Sequence, residues 1–162
     1  MSGSQRVLIY SGLALLIIAM SYGLWYAVFA EHQRLDQIGG SLASSFASAA
    51  AGDLQASHSA LRTYGEAKYF YTREVDVHSH WGGLAILLIL FGAVFDRTRF
   101  SEHIRLWLAI SLSTGSFAFP LSVLLQNFDH GQWPRVLAAV TSGILMVSMT
   151  MVAAGFIRHS DT

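Results

Sequence analysis

Four long apolar stretches dominate this chain of 162 residues and limit what it can fold into. They cover about residues 7–30, 80–95, 106–125 and 135–157. The hydrocarbon core of a bilayer is about 30 Å thick and takes about 20 apolar residues per helical span, so each stretch meets or approaches the length of a span. Hydrophobic residues make up 53% of the chain and charged residues only 12%, a balance unlike that of a soluble domain. The sequence therefore predicts an all-α integral membrane protein.

The connections between the stretches predict how the helices are arranged. Residues 96–105 and 126–134 form short loops, of the length that joins antiparallel neighbours. Residues 31–79 form one long outer loop instead. We therefore predict a single membrane domain, residues 1–162, folded as an up-down four-helix bundle with a short helical extracytoplasmic cap between helices 1 and 2.

The outer loop contains its own helix signals. Gly39 and Gly40 predict a break, followed by a short amphipathic helix. Gly52 predicts a second break, and Asp53 suits the N-cap of a helix that starts outside the membrane and runs into the second span, with an interruption at Gly65.

Positive charges predict the orientation of the spans. Arginines gather at one set of span ends, whereas the short opposite loop is flanked by Arg135 alone; the gathered arginines are Arg6, Arg97, Arg99, Arg105 and Arg158. Because Lys and Arg are enriched in cytoplasmic loops, both termini are expected in the cytoplasm. We expect the membrane to be a bacterial inner membrane. The first stretch is longer than the apolar region of a signal peptide, which runs about 7–15 residues, so we expect an uncleaved span.

Charge and cysteine content exclude several classes of function. The formal net charge is zero, so no electrostatic capture of nucleic acid is expected. The chain has no cysteine, which excludes thiolate metal sites and covalently attached c-type haem on this chain. The apolar spans also hold no charged residue near their centres, where pumps and channels place them.

Small residues mark the expected packing faces, because helices in lipid associate through close approach rather than through burial of leucine. The second span carries Gly82, Ala85, Ile89 and Gly92 on one face. The third and fourth spans have similar faces, made of Ser111, Gly115, Ala118, Ser122 and Gln126, and of Ala138, Ser142, Leu145, Ser148 and Val152.

Histidines are the main candidate ligands. His78 and His80 stand directly before the second span, two residues and therefore about 200° apart on a helix, so only one of them can face a given ion there. His78 is in phase with the small-residue face and is the better candidate for an inward ligand. His32 and His130, expected at nearly the same depth, are the candidates for the opposite axial ligand of a haem b.

The segment "VHSHWGGLAILLILFG", residues 77–92, resembles the His-x-His haem-binding helix of haem–copper oxidase and nitric oxide reductase-like membrane proteins. The resemblance implies that His78 or His80 binds a low-spin haem b. The chain has far fewer predicted spans than that family and no deeper histidines to complete a haem–copper centre. The resemblance therefore implies one haem near the outer face and no oxygen- or nitric oxide-reducing site.

Three functions follow as alternatives. The first is a small cytochrome b-like membrane subunit that holds one haem near the outer face and passes electrons between quinol and a partner protein. The second is a cofactor-free structural or accessory subunit of a larger respiratory membrane complex. The third is a membrane protein that binds copper or another metal at its outer face, with His78 and His80 as the candidate ligands. All three make the chain an electron-transfer, accessory or binding subunit rather than an independent enzyme.

The expected partners follow from the same features. They are the lipid bilayer, other membrane subunits or further copies of the chain, and a quinone, but not nucleic acid. Glu74 and Tyr71 belong to a set of acids and tyrosines in the outer loop that is suited to holding a quinone head group.

Overall fold

The computed structural model describes residues 1–160, with side chains described as far as Ile157, and contains no strand in that part. Its elements are α1 (Gly3–Trp25), a π-helical segment (Tyr26–Ala30), α2 (Glu31–Ala50), α3 (Leu54–Val94), a 3-10 turn (Phe95–Arg97), α4 (Glu102–Leu125) and α5 (Gln132–Ser160). Four helical runs are long and apolar enough to cross a membrane, namely Gly3–Ala50, Leu54–Arg97, Glu102–Leu125 and Gln132–Ile157. By the length and composition of its helices, the prediction of an all-α integral membrane protein with four spans is confirmed.

The chain divides into two compact units. The first contains Met1–Met20 and the chain from Val77 onward, and the second is Ser21–Asp76. The first unit therefore holds most of the apolar helix length, and the second holds residues 31–76 of the expected outer loop, whereas His78 belongs to the first unit.

Glycines allow close helix contacts within the first unit. A Cβ atom on Gly12 of α1 would lie 2.9 Å from the Ala85 carbonyl oxygen and 2.7 Å from Ile89 Cγ1 of α3. In the same way, a Cβ on Gly115 of α4 would lie 2.8 Å from Leu145 Cγ of α5. Small residues thus let α1 approach α3, and α4 approach α5. Ala85, Ile89, Gly115 and Leu145 belong to the predicted packing faces, whereas Gly12 was not predicted.

Burial agrees with the predicted packing faces. Ala85 and Val152 are fully buried, and Ser122, Leu145 and Ser148 are nearly so. Large apolar side chains elsewhere on the same helices are exposed, among them Ile86, Leu90, Val140, Ile144, Met146 and Val147. These exposed side chains suit contact with lipid.

Polar contacts join the first turns of α1 and α4. The Glu102 carboxylate accepts hydrogen bonds from the Ser4 amide at 3.0 Å and the Ser4 hydroxyl at 3.3 Å, and it pairs with Arg105 at 2.9 Å. A carboxylate is favourable there because the first amides of a helix lack partners within the helix. The side chain of Arg158, also used to predict the orientation, lies outside the described residues.

The second unit is a helical hairpin that the sequence predicted only in part. Gly52 has a φ of 81° and makes the turn, and Asp53 Oδ1 accepts a hydrogen bond from the Ala56 amide at 2.9 Å, which confirms the predicted break and N-cap. The predicted break at Gly39 and Gly40 is wrong, because α2 runs unbroken from Glu31 to Ala50.

The predicted interruption at Gly65 is also wrong, since α3 is continuous from Leu54 to Val94. Contacts along the hairpin explain why the glycines do not break their helices. The Ser45 and Ser57 hydroxyls lie 3.1 Å apart near the turn, and Arg34 binds Glu74 at the other end. A glycine costs about 1 kcal/mol against alanine in a helix, which packing on both sides of it can offset.

The helices are much longer than a bilayer requires. The run Gly3–Ala50 has 48 residues and α3 has 41 residues, whereas one span takes about 20. A helix that starts at the Asp53 cap and continues into the second span is thus confirmed. The up-down order and the position of the hairpin outside the membrane remain predictions.

Candidate functional site

The two histidines of the "HSH" segment lie on α3 and contact different helices. The His78 Nδ1 atom lies 3.0 Å from the Ala19 carbonyl oxygen of α1. The His80 ring stacks on Phe119 of α4, with centroids 5.0 Å apart and an angle of 23° between the rings. The rotation of about 200° per two helical residues accounts for this divergence. His80 therefore also packs within its own chain, against α4, whereas the sequence favoured His78 as the inward histidine.

The contact of His78 determines which ring nitrogen remains available. A carbonyl oxygen only accepts hydrogen bonds, so in the neutral imidazole Nδ1 carries the hydrogen and Nε2 keeps its lone pair. Ala19 is almost fully buried and His78 is half-buried, so the bond is partly shielded from solvent. A ligating histidine typically has this arrangement, because the second nitrogen is held by a carbonyl while the first binds the metal.

His80 lines a cavity of about 320 Å³ among α3, α4 and α5. The other lining residues are Leu84, Phe119, Ser142, Leu145, Met146 and Met149. The imidazole and the Ser142 hydroxyl are the polar side-chain groups of this lining, and that hydroxyl is 3.0 Å from the Ala139 carbonyl oxygen, to which it donates.

Trp81 fixes α3 against α4 beside this cavity. Its indole Nε1 donates to the Phe117 carbonyl oxygen at 3.4 Å, and the side chain is largely buried. Pro120 lies inside α4 and has no N–H, so the carbonyl left without a helical donor is that of Ser116, which is next to Phe117. Trp81 of α3 thus bonds to the backbone of α4 one residue from the carbonyl that Pro120 frees.

The two predicted partner histidines lie on other elements of the chain. His130 is exposed in the loop between α4 and α5, and His32 is exposed on α2 in the second unit. The described residues contain no group of three or more His, Cys, Asp or Glu side chains that could hold a metal ion. The assignment of His32 or His130 as a second axial ligand stays a prediction.

A buried polar cluster in the second unit was largely missed from the sequence. The Glu74 carboxylate accepts two hydrogen bonds from Arg34, from Nε at 3.3 Å and from Nη2 at 3.1 Å, and Glu74 is only 6% exposed. The Arg34 guanidinium lies over the Phe70 ring at 5.1 Å. Arg34 therefore already occupies both oxygens of a carboxylate that the sequence suggested for holding a quinone head group.

Tyr26 completes this cluster at the start of the π-helical segment. Its ring centroid lies 6.4 Å from that of Tyr71, and its buried hydroxyl has no hydrogen-bond partner within the described part of the chain. One sequence signal could have revealed this cluster. If both helices are unbroken, the turn at Gly52 pairs α2 with the first half of α3.

A second, larger cavity of about 530 Å³ lies between α4 and α5 and includes Trp107, Ser111, Gly143 and Ser148 in its lining. No ionisable side chain lines it, so it resembles a groove for apolar chains.

Comparisons of this chain with protein-family models, with curated proteins and with solved structures found no match.

Proposed function

We propose that this protein is a small cytochrome b-like membrane subunit that holds one haem b through His78 and passes electrons between quinol and a partner protein. The contact between His78 Nδ1 and the Ala19 carbonyl oxygen carries this proposal. It holds the imidazole in the tautomer that presents Nε2 to a metal and fixes the plane of the ring.

An imidazole whose Nδ1 is held by a carbonyl oxygen is a donor that suits a non-covalent haem. The chain lacks cysteine, which agrees with a b-type rather than a c-type haem. His78 would hold the haem and Ala19 would orient its imidazole. A second ligand, for which the sequence offers His32 and His130, is identified by the variants described below. When bound, the haem supplies one-electron transfer, and the protein supplies ligation, orientation and an apolar environment.

The same proposal includes an arrangement in the membrane. The four spans run up and down, the α2–α3 hairpin forms a cap on the outer side, and both termini are in the cytoplasm of a bacterium. Exposed Arg97 and Arg99 in the connection between α3 and α4 support this orientation.

The absence of cysteine makes this orientation easy to test, because a single introduced thiol is unambiguous. In whole cells, a membrane-impermeant maleimide should label Ser48→Cys in the hairpin but not Arg97→Cys. Labelling only of Arg97→Cys would reverse the orientation.

The haem proposal is tested by optical spectroscopy of protein purified from haem-sufficient cells. We expect a Soret band that shifts on reduction, its loss in His78→Ala and its retention in His80→Phe. Unchanged spectra in folded His78→Ala protein would remove His78 as the ligand. Parallel His32→Ala and His130→Ala variants identify the opposite ligand, since its loss changes the spin state.

A separate observation favours a second candidate function, a cofactor-free accessory subunit of a larger membrane complex. The hairpin exposes large apolar side chains, with Phe46 69% and Leu54 64% exposed and Leu35 and Leu61 nearly half exposed. Exposed apolar side chains outside the apolar spans are typical of surfaces that meet another protein. Under this alternative, Phe46→Ser should reduce co-purification with the complex, and the purified protein should lack a Soret band.

A further inference from the structure

We infer that the cavity beside His80 binds the ring head group of a quinone or quinol that enters from the bilayer. The inference places the quinol end of the proposed electron transfer at His80, apart from the proposed haem ligand His78. It rests on the proposed function only for its role in electron transfer, since binding itself requires no haem.

The shape of the site suits a flat ring. The His80 imidazole is already stacked on Phe119 at 5.0 Å, so one wall of the cavity carries aromatic rings. Leu84, Leu145 and Met149 supply apolar surface around them. Aromatic rings pack favourably at this separation, and methionine adapts to irregular shapes beside them.

The polarity of the site suits a neutral ligand with few hydrogen-bonding atoms. No charged side chain lines the cavity, and its polar side-chain groups are one imidazole and one hydroxyl. A quinone has two carbonyl oxygens on an apolar ring, and a quinol has two hydroxyls. Such a head group can bond with an imidazole nitrogen, which both donates and accepts, while its ring remains in apolar surroundings.

The size of the site argues against haem in this cavity. Ligand cavities span about 300–1,000 Å³, and 320 Å³ lies at the lower end of that range. A single substituted ring matches this space better than a macrocycle of four pyrroles. Haem also carries two propionates, and no cation among the lining residues is present to pair with them. We therefore assign the haem to His78 and the quinone to His80.

The neighbouring cavity between α4 and α5 provides an internal comparison. It is larger, at about 530 Å³, but has no imidazole. An acyl chain would enter either cavity, whereas a quinone ring should prefer the cavity with His80.

The test is a titration of the purified full-length protein with a short-chain benzoquinone, followed by tryptophan quenching. A variant that keeps Trp81 and replaces the other three tryptophans by Phe reports on the region next to His80. We expect saturable quenching, from which the quinone affinity is obtained. This affinity should be at least tenfold weaker in His80→Phe, which retains an aromatic ring for packing but lacks the nitrogens. Ser111→Ala, in the other cavity, should leave the affinity unchanged.

A benzene derivative with the same alkyl substituents but without carbonyls separates ring recognition from lipid-like binding. It should compete at least tenfold less well than the quinone. Equal competition, or equal quinone affinity in folded His80→Phe and unaltered protein, would overturn the inference. Because the readout is quinone affinity, the result does not depend on whether a Soret band is present. Failure of the quinone proposal is therefore distinguishable from failure of the haem proposal.

Discussion

Replacing Gly12 by alanine tests the closest helix contact of the first unit. The added Cβ would lie 2.9 Å from the Ala85 carbonyl oxygen and 2.7 Å from Ile89 Cγ1. Favourable carbon contacts lie at about 3.5–4.0 Å, so both distances are too short. Ile89 can rotate, but the Ala85 oxygen belongs to the backbone of α3 and moves only if the two helices separate.

Gly143 of α5 provides the matched control. Apart from the neighbouring backbone of α5 itself, no atom of the described residues lies within 4 Å of the position that its Cβ would occupy, and α5 is also long enough to span the membrane. Alanine is favoured over glycine by about 1 kcal/mol in a helix at both positions, so this contribution cancels when the two variants are compared. The remaining difference is the cost of overpacking, about 1–3 kcal/mol.

Reversible unfolding in mixed detergent micelles, followed by circular dichroism, measures this difference. Gly143→Ala should be as stable as the unaltered protein or more stable, and Gly12→Ala should be less stable than Gly143→Ala by about 1–3 kcal/mol. Equal free energies of unfolding for the two variants would refute the close approach of α1 to α3.

Two further predictions concern the hairpin. Glu74→Gln leaves Arg34 without its carboxylate and should lower the free energy of unfolding by about 1.5–3 kcal/mol, as for a hydrogen bond to a charged group, whereas Glu66→Gln at an exposed site should change it little. Asp53→Ala removes the acceptor for the Ala56 amide and should cost about 1 kcal/mol, which Asp53→Asn should largely restore. Both are measured in the same unfolding assay, and no loss in Glu74→Gln or Asp53→Ala would contradict the contact concerned.

The spans were predictable because their signal is local. Apolar stretches of sufficient length fix four membrane helices whatever their partners, and small residues such as Ala85 and Gly92 mark the packing faces by helical spacing alone. The divergence of His78 and His80 was predictable for the same reason, since it follows from 100° of rotation per residue.

The hairpin was less predictable because its stability comes from distant contacts. Gly39 and Gly40 favour a break when only the local sequence is considered, but α2 is held by Arg34 and Ser45 on either side of them. The stacking of His80 on Phe119 likewise depends on how α3 meets α4, which helical periodicity does not specify.

A reduced-minus-oxidised difference spectrum with quantified haem, recorded on purified protein and on His78→Ala, tests the central claim most directly. The proposed function predicts about one haem per chain and a reducible Soret band in the unaltered protein. It also predicts loss of both in His78→Ala, whose helical content should remain unchanged. Folded, unaltered protein from haem-sufficient cells that contains no haem would contradict the claim and favour the cofactor-free accessory subunit.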